Sequence, residues 1–207
     1  MKNDNISKRI LLKMQEEPEN TIFTISDFYD LGSRSAIKTA LFRLTKEGTL
    51  HRLIDGFYVI PYYSKLINEY GNPSIDQLAM KIAEKYAWNI SPYGENALNQ
   101  VGLSTQIPTV YEYLSDGPYR QFCYSNNIIK FKHTSNRVVS KFSLPLSLVI
   151  QSIKALGKER ITIKEIKRMS YFSEKYVQED LLQDAKAVPA WIYSILKEID
   201  KDMKNEK

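Results

Sequence analysis

The sequence holds a single cysteine, Cys123, among 207 residues, which excludes an internal disulfide, a thiolate zinc site and a CxxC redox pair. Its setting in the string QFCYS predicts a small buried hydrophobe in a strand. Histidine is almost as scarce. His51 and His133 are the only two, and their separation suggests no ligand or catalytic motif. No GxSxG, HExxH, GxGxxG or P-loop string occurs, so the expectation is a protein without catalytic residues, cofactor or metal. Eight glycines and eight prolines exclude collagen-like and low-complexity classes. No apolar run is long enough to span a bilayer. The longest, FSLPLSLVIQSI at 142–153, is too short and is interrupted by Pro145. The opening MKNDNISKRILLKM is charged from Lys2 onward, which predicts no secretory signal, a cytoplasmic location and no membrane partner.

What is present can build a core: 43% of residues are hydrophobic and 26% charged, the balance of an ordinary globular chain. The net charge of +5 is modest, but its placement is uneven. Glu16 to Asp30 holds five acids and no base. Ser33 to Arg52 holds five bases (Arg34, Lys38, Arg43, Lys46, Arg52) and one acid, Glu47. A cluster of that density within one helix and hairpin points to a nucleic-acid partner.

Periodicity supplies the elements. Ile6, Ile10, Leu11 and Met14 predict a first helix over 5–16, ended by Pro18 and Asn20. TIFTI at 21–25 reads as a short strand. Ser26 is expected to cap a brief helix through Leu31, with Gly32 stopping it at positive φ. Ser33 is the next N-cap, for a helix running to Glu47 and stopping at Gly48. That helix sets Ile37, Ala40, Leu41 and Leu44 on one face and Ser35, Thr39, Phe42, Arg43 and Lys46 on the other. Strands near 50–53 and 57–60 are joined across Asp55-Gly56, a hairpin signal. Helix, strand, helix, tight turn, helix and hairpin within some sixty residues is the layout of a winged helix-turn-helix.

The expected fold class is therefore α+β: a winged helix-turn-helix over 1–62, a linker over 63–73, and a mixed α/β domain over 74–207 with a helical C-terminal tail. The second domain should open with a helix at 74–86 carrying Ile75, Leu78, Ala79, Ile82 and Ala83 on one side. A strand at 88–90 and a helix at 93–101 follow. Strands near 109–114, 119–124 and 127–133 come next, set off by Asp116-Gly117 and Asn126-Asn127. Helices near 145–156, 162–169, 173–184 and 189–203 form the tail.

For the DNA-binding face, Arg34, Ser35, Lys38 and Thr39 lie in the first two turns, where a recognition helix reaches base edges. Arg43, Lys46 and Arg52 suit phosphates, which fix position without reading sequence. His51 can reach a phosphate from the hairpin or stay a partly exposed strand histidine. Phe42 can touch a thymine methyl or pack against the second domain. Tyr58, Tyr62, Tyr63 and Tyr70 are explained by packing around the linker. In GLSTQ, the polar residues Asn99, Ser104, Thr105 and Gln106 can bind a ligand, or simply form a helix C-cap and turn with Gly102 at positive φ.

The string FTISDFYDLGSRSAIKTALFRLTKEGTLHRLIDGFYVIP resembles the winged-helix domain of AbiEi-type antitoxins of bacterial type IV toxin–antitoxin systems. SPYGENALNQVGLSTQIPTVYEYLSDGP looks like the second-domain signature of one branch of that family. Its matching residues here are Ala97, Asn99, Gly102, Leu103, Ser104, Thr105, Gln106, Pro108, Tyr113 and Gly117. IIKFKH at 128–133 and LVIQSIKALGK at 148–158 also fit. The resemblance implies a transcriptional repressor that binds double-stranded DNA at its own promoter. It also implies a nucleotidyltransferase-like toxin encoded nearby and countered without stable binding. Phe42 departs from the small polar residue expected there. A protein-interaction module that holds a toxin, with the winged helix as scaffold, is the alternative.

Overall fold

The computed structural model describes residues 2–64, 68–178 and 180–205. Residues 65–67, inside the expected linker, lie outside the described residues. The fold is mixed α+β, and the chain divides into two compact units, 1–85 and 86–207.

In the first unit, α1 (Lys2–Gln15) precedes the two-residue β1 (Phe23–Thr24). A single 3-10 turn, Ile25–Phe28, replaces the helix expected from Ser26 to Leu31. Its cap is Thr24 rather than Ser26. The Asp27 carboxylate accepts from the Thr24 N–H at 2.6 Å, and the Thr24 hydroxyl reaches the same carboxylate at 3.1 Å. Gly32 does not adopt positive φ. Its bareness serves packing instead, since a Cβ there would lie 3.2 Å from Ile6 Cδ1.

α2 (Arg34–Lys46) follows, with Ser33 Oγ accepting from the Ala36 N–H at 3.3 Å and Gly48 at φ 77° beyond its end. The hairpin of β2 (His51–Ile54) and β3 (Phe57–Val59) turns at Asp55-Gly56 as expected. A bulge between Arg52 and Ile54 shifts its register. β3 is the centre of a three-stranded sheet, with β1 and β2 antiparallel on either side. Ile10, Met14, Phe28, Ile37, Leu41 and Leu50 fill the core beneath.

The expected linker holds an antiparallel pair, β4 (Tyr62–Ser64) and β5 (Glu69–Gly71). α3 (Ile75–Tyr86) buries Leu78, Ala79, Ile82 and Ala83, the face read from its sequence. The units divide after Lys85, later than the boundary at Ser74 that the turn residues suggest. Two contacts tie this helix to the first unit: Lys81 Nζ lies 3.6 Å from Asp27 Oδ2, and Lys85 Nζ sits 4.4 Å from the Phe57 ring centre.

The second unit combines a sheet with helices. β6 (Ile90–Pro92), α4 (Glu95–Val101), β7 (Val110–Ser115), β8 (Arg120–Tyr124) and β9 (Asn127–His133) come in that order. The spatial order is β6-β7-β9-β8, with β7 and β9 parallel and the other pairs antiparallel. β7 therefore does not form a hairpin with β8. The segment 116–119 instead crosses the end of β9, where Gly117 O bonds His133 Nδ1 at 2.8 Å. Glycine is required there because a Cβ on Gly117 would fall inside the Trp88 indole. Cys123, expected to be buried, is exposed on β8, one of the two edge strands of the sheet.

The short α5 (Asn136–Val139) leads to α6 (Leu144–Leu156), which is buried along most of its length. α7 (Ile163–Tyr176) continues through the break expected at 169–173 because Ser170 and Ser173 lie buried in it. Only the four-residue α8 (Leu181–Asp184) stands in place of the rest of the expected 173–184 helix, before α9 (Ala190–Asn205). Val149, Ile153, Met169, Ile192, Leu196 and Ile199 form their shared core. Among the described residues, no helix is long and apolar enough to cross a membrane, and no cluster of three His, Cys, Asp or Glu could hold a metal.

Candidate nucleic-acid interface

The burial of Ile37, Ala40, Leu41 and Leu44 fixes how α2 is rotated about its axis, and so decides what it presents to solvent. Ser35, Thr39, Phe42 and Lys46 follow one another at i, i+4, i+7 and i+11, and all four are exposed. Lys38 and Arg43 flank that line, and Arg34 opens the helix; these too are exposed. Every residue of α2 read as a DNA contact thus points outward. Ser33 makes this possible locally, because its hydroxyl takes up a first-turn N–H and starts the helix beside Arg34.

The side chains differ in what they have left to offer. The Thr39 hydroxyl donates to Ser35 O at 3.0 Å, which leaves its methyl and its oxygen lone pairs facing outward. A base edge meeting Thr39 must therefore supply a donor or a methyl. Phe42 is 68% exposed, a large ring in the middle of a polar stripe.

On the hairpin, His51 and Arg52 are both exposed, but neighbours in a strand leave opposite faces of the sheet. Arg52 is paired with Asp55 at the turn, and the Asp55 side chain is 94% exposed. An ion pair so open to water is worth about 0–1 kcal/mol, so a phosphate can displace Asp55. The composition of the basic stretch gave no sign of this competitor. Its sequence signal was the i, i+3 spacing across the turn. Behind the hairpin, Tyr58 is buried opposite Arg52 in register, and burial pushes its hydroxyl pKa above the usual value.

The GLSTQ segment is a helix terminus. Gly102 has φ 78° and ends α4, with its N–H donating to Asn99 O at 3.0 Å and the Leu103 N–H to Leu98 O at 2.8 Å. The Asn99 amide donates to Gln106 O at 3.0 Å, and Ser104 Oγ accepts from the Gln106 N–H at 3.2 Å. Asn99 and Ser104 thus close the turn themselves, while Thr105 and Gln106 are exposed.

Residues 9–181 match the model of a family of unknown function, DUF6088, and the chain belongs to that family. No curated protein matches it. The family carries no functional description, so the resemblance to AbiEi-type antitoxins rests on the quoted strings alone.

Proposed function

We propose that the first unit is a winged helix-turn-helix and that this protein binds double-stranded DNA with α2 in the major groove and the β2–β3 hairpin as the wing. In this reading it is a cytoplasmic transcriptional repressor of its own promoter and the antitoxin of a type IV system, without a catalytic role. The observation that supports it best is the outward face of α2, where four bases and two hydroxyls stand on a helix whose opposite side is fully buried. Ser35 and Thr39 discriminate between bases, and Lys38, Arg43, Lys46 and Arg52 hold phosphates.

Salt dependence tests it. Four phosphate contacts per protomer give a log–log slope of affinity against salt near ~−3.6, and three, with Arg52 kept by Asp55, give about −2.7. Titration of a labelled promoter fragment at several salt concentrations measures the slope. A slope near zero with tight binding sinks the phosphate-dominated mechanism. Co-purification with the neighbouring gene product and no DNA shift would establish the interaction module instead, with Phe42 as its natural anchor.

A further inference from the structure

The second unit carries a basic run that the charge analysis of the first unit left aside: KERITIKEIKR, residues 158–168, holds five bases and two acids. Part of it lines an open groove of about 600 Å³ between the turn after α4 and the first half of α7, bounded by Gly102, Thr105, Lys164, Lys167, Arg168 and Tyr171. Three features give this groove a chemical character.

The first is the seat of Arg168. Its Nε donates to Val101 O at 3.1 Å, which anchors the guanidinium against the end of α4. The plane lies over Gly102, where a Cβ would overlap it. The motif glycine thus serves two ends, a left-handed turn and room for an arginine fork. Nε supplies one of five N–H donors, and the fork suits the paired oxygens of a phosphate.

The second is unbalanced charge. Among the described residues, Lys164 and Lys167 have no ion-pair partner, and both are exposed. The one carboxylate lining the groove, Glu165, is occupied at the start of α7, where its Oε2 accepts from the Thr162 N–H at 3.0 Å and from the Thr162 hydroxyl. Three cations therefore face solvent beside one carboxylate that is already engaged.

The third is a ring. Tyr171 is 58% exposed, one turn along α7 from Arg168, whose guanidinium carbon lies 5.8 Å from the ring centre. An exposed aromatic face beside clustered cations suits a flat base attached to a phosphate.

We infer that this groove binds a free mononucleotide, with Lys164, Lys167 and Arg168 on the phosphate, Tyr171 against the base and the Thr105 hydroxyl at the rim. The inference does not depend on the DNA reading of the first unit. It is tested on the full chain by NMR titration with AMP, adenosine and inorganic phosphate. AMP should shift signals of Thr105, Lys164 and Tyr171 and bind more tightly than adenosine or phosphate. Lys164→Gln/Lys167→Gln should weaken AMP about tenfold, and Tyr171→Leu should reduce AMP affinity toward that of phosphate. Both variants replace exposed side chains; Lys38→Gln/Lys46→Gln on α2 is the control and should leave AMP binding unchanged. The proposal is overturned if AMP binds no better than phosphate, if the α2 control rather than the α7 variants abolishes binding, or if a single-stranded oligonucleotide binds there and AMP does not.

Discussion

Asp55 is the residue through which the proposed DNA affinity can be raised. It stands at the tip of the hairpin, nearly fully exposed and paired with Arg52. Asp55→Asn removes a negative charge from the approach to DNA and releases Arg52 from its carboxylate partner at the turn. Affinity should rise about two- to fivefold, in line with an exposed pair worth under about 1 kcal/mol, and the salt slope should move from about −2.7 toward ~−3.6. Fluorescence anisotropy at two salt concentrations reads both. Arg43→Ala should weaken all sequences alike, whereas Ser35→Ala should change preference among operator variants. Equal losses from both on every variant would mean that α2 does not read bases. In the second unit, Gly117→Ala should destabilise by about 1–3 kcal/mol, because the new methyl needs space that the Trp88 indole occupies. Urea unfolding of Gly117→Ala, alone and with Trp88→Leu, measures the coupling, and additive losses would show that the two sites do not meet.

At the scale of elements, what could be read from the chain was set by how local its cause is. α2 was legible almost to the residue because its cap, its buried stripe and the glycine beyond its end are all written within sixteen positions, Ser33 to Gly48. The β2–β3 turn was legible for the same reason. Ser26 misled because Thr24 and Asp27 form the stronger reciprocal cap two residues earlier. α7 ran on past its expected end because serines, which usually mark breaks, are buried at 170 and 173; Ser170 Oγ donates back to Ile166 O at 3.0 Å. Strand order was not legible at all. The Asp116-Gly117 pair signals a turn truthfully, but nothing local says that this turn passes over a third strand. All eight residues read as DNA contacts are exposed, yet the pairing of Arg52 and the basic groove of α7 needed the three-dimensional arrangement. Ser33→Ala should cost about 1 kcal/mol through the lost cap of α2, seen as a lower urea midpoint with unchanged slope.

At the scale of the whole molecule, burial raises the pKa of Tyr58 in the first unit and of Tyr124 in the second. The folded state binds these protons more tightly than the unfolded state. Their contribution is complete below the ordinary tyrosine value of 10.0 and is lost as pH climbs through the raised folded values. Stability of both units should therefore fall on the alkaline side of pH 10.0, accompanied by late tyrosinate absorbance. Tyr58→Phe and Tyr124→Phe should each diminish the late signal and the alkaline loss of the unit that holds it. Lys154, whose pKa is lowered by desolvation on the largely buried α6, acts in the opposite sense: its contribution improves as pH rises toward its unfolded value. A stability curve that stays level above pH 10.5, where the gain from the lysine is spent, would show that the buried tyrosines do not set the alkaline limit.

The crossing of 116–119 over β9 also bears on how the second unit comes into being during synthesis. The central pairing of its sheet joins β7 to the strand that leaves the ribosome last, so β6 and β7 wait as an unfinished pair until His133 has emerged. β8 and β9, linked by a two-residue turn, can close as a hairpin within microseconds and then dock on β7 as a preformed piece. A nascent chain halted near residue 125 would expose the open side of β7, a row of backbone donors and acceptors ready to pair with another chain. Between those two points of translation the second unit carries an open sheet edge that the finished fold closes.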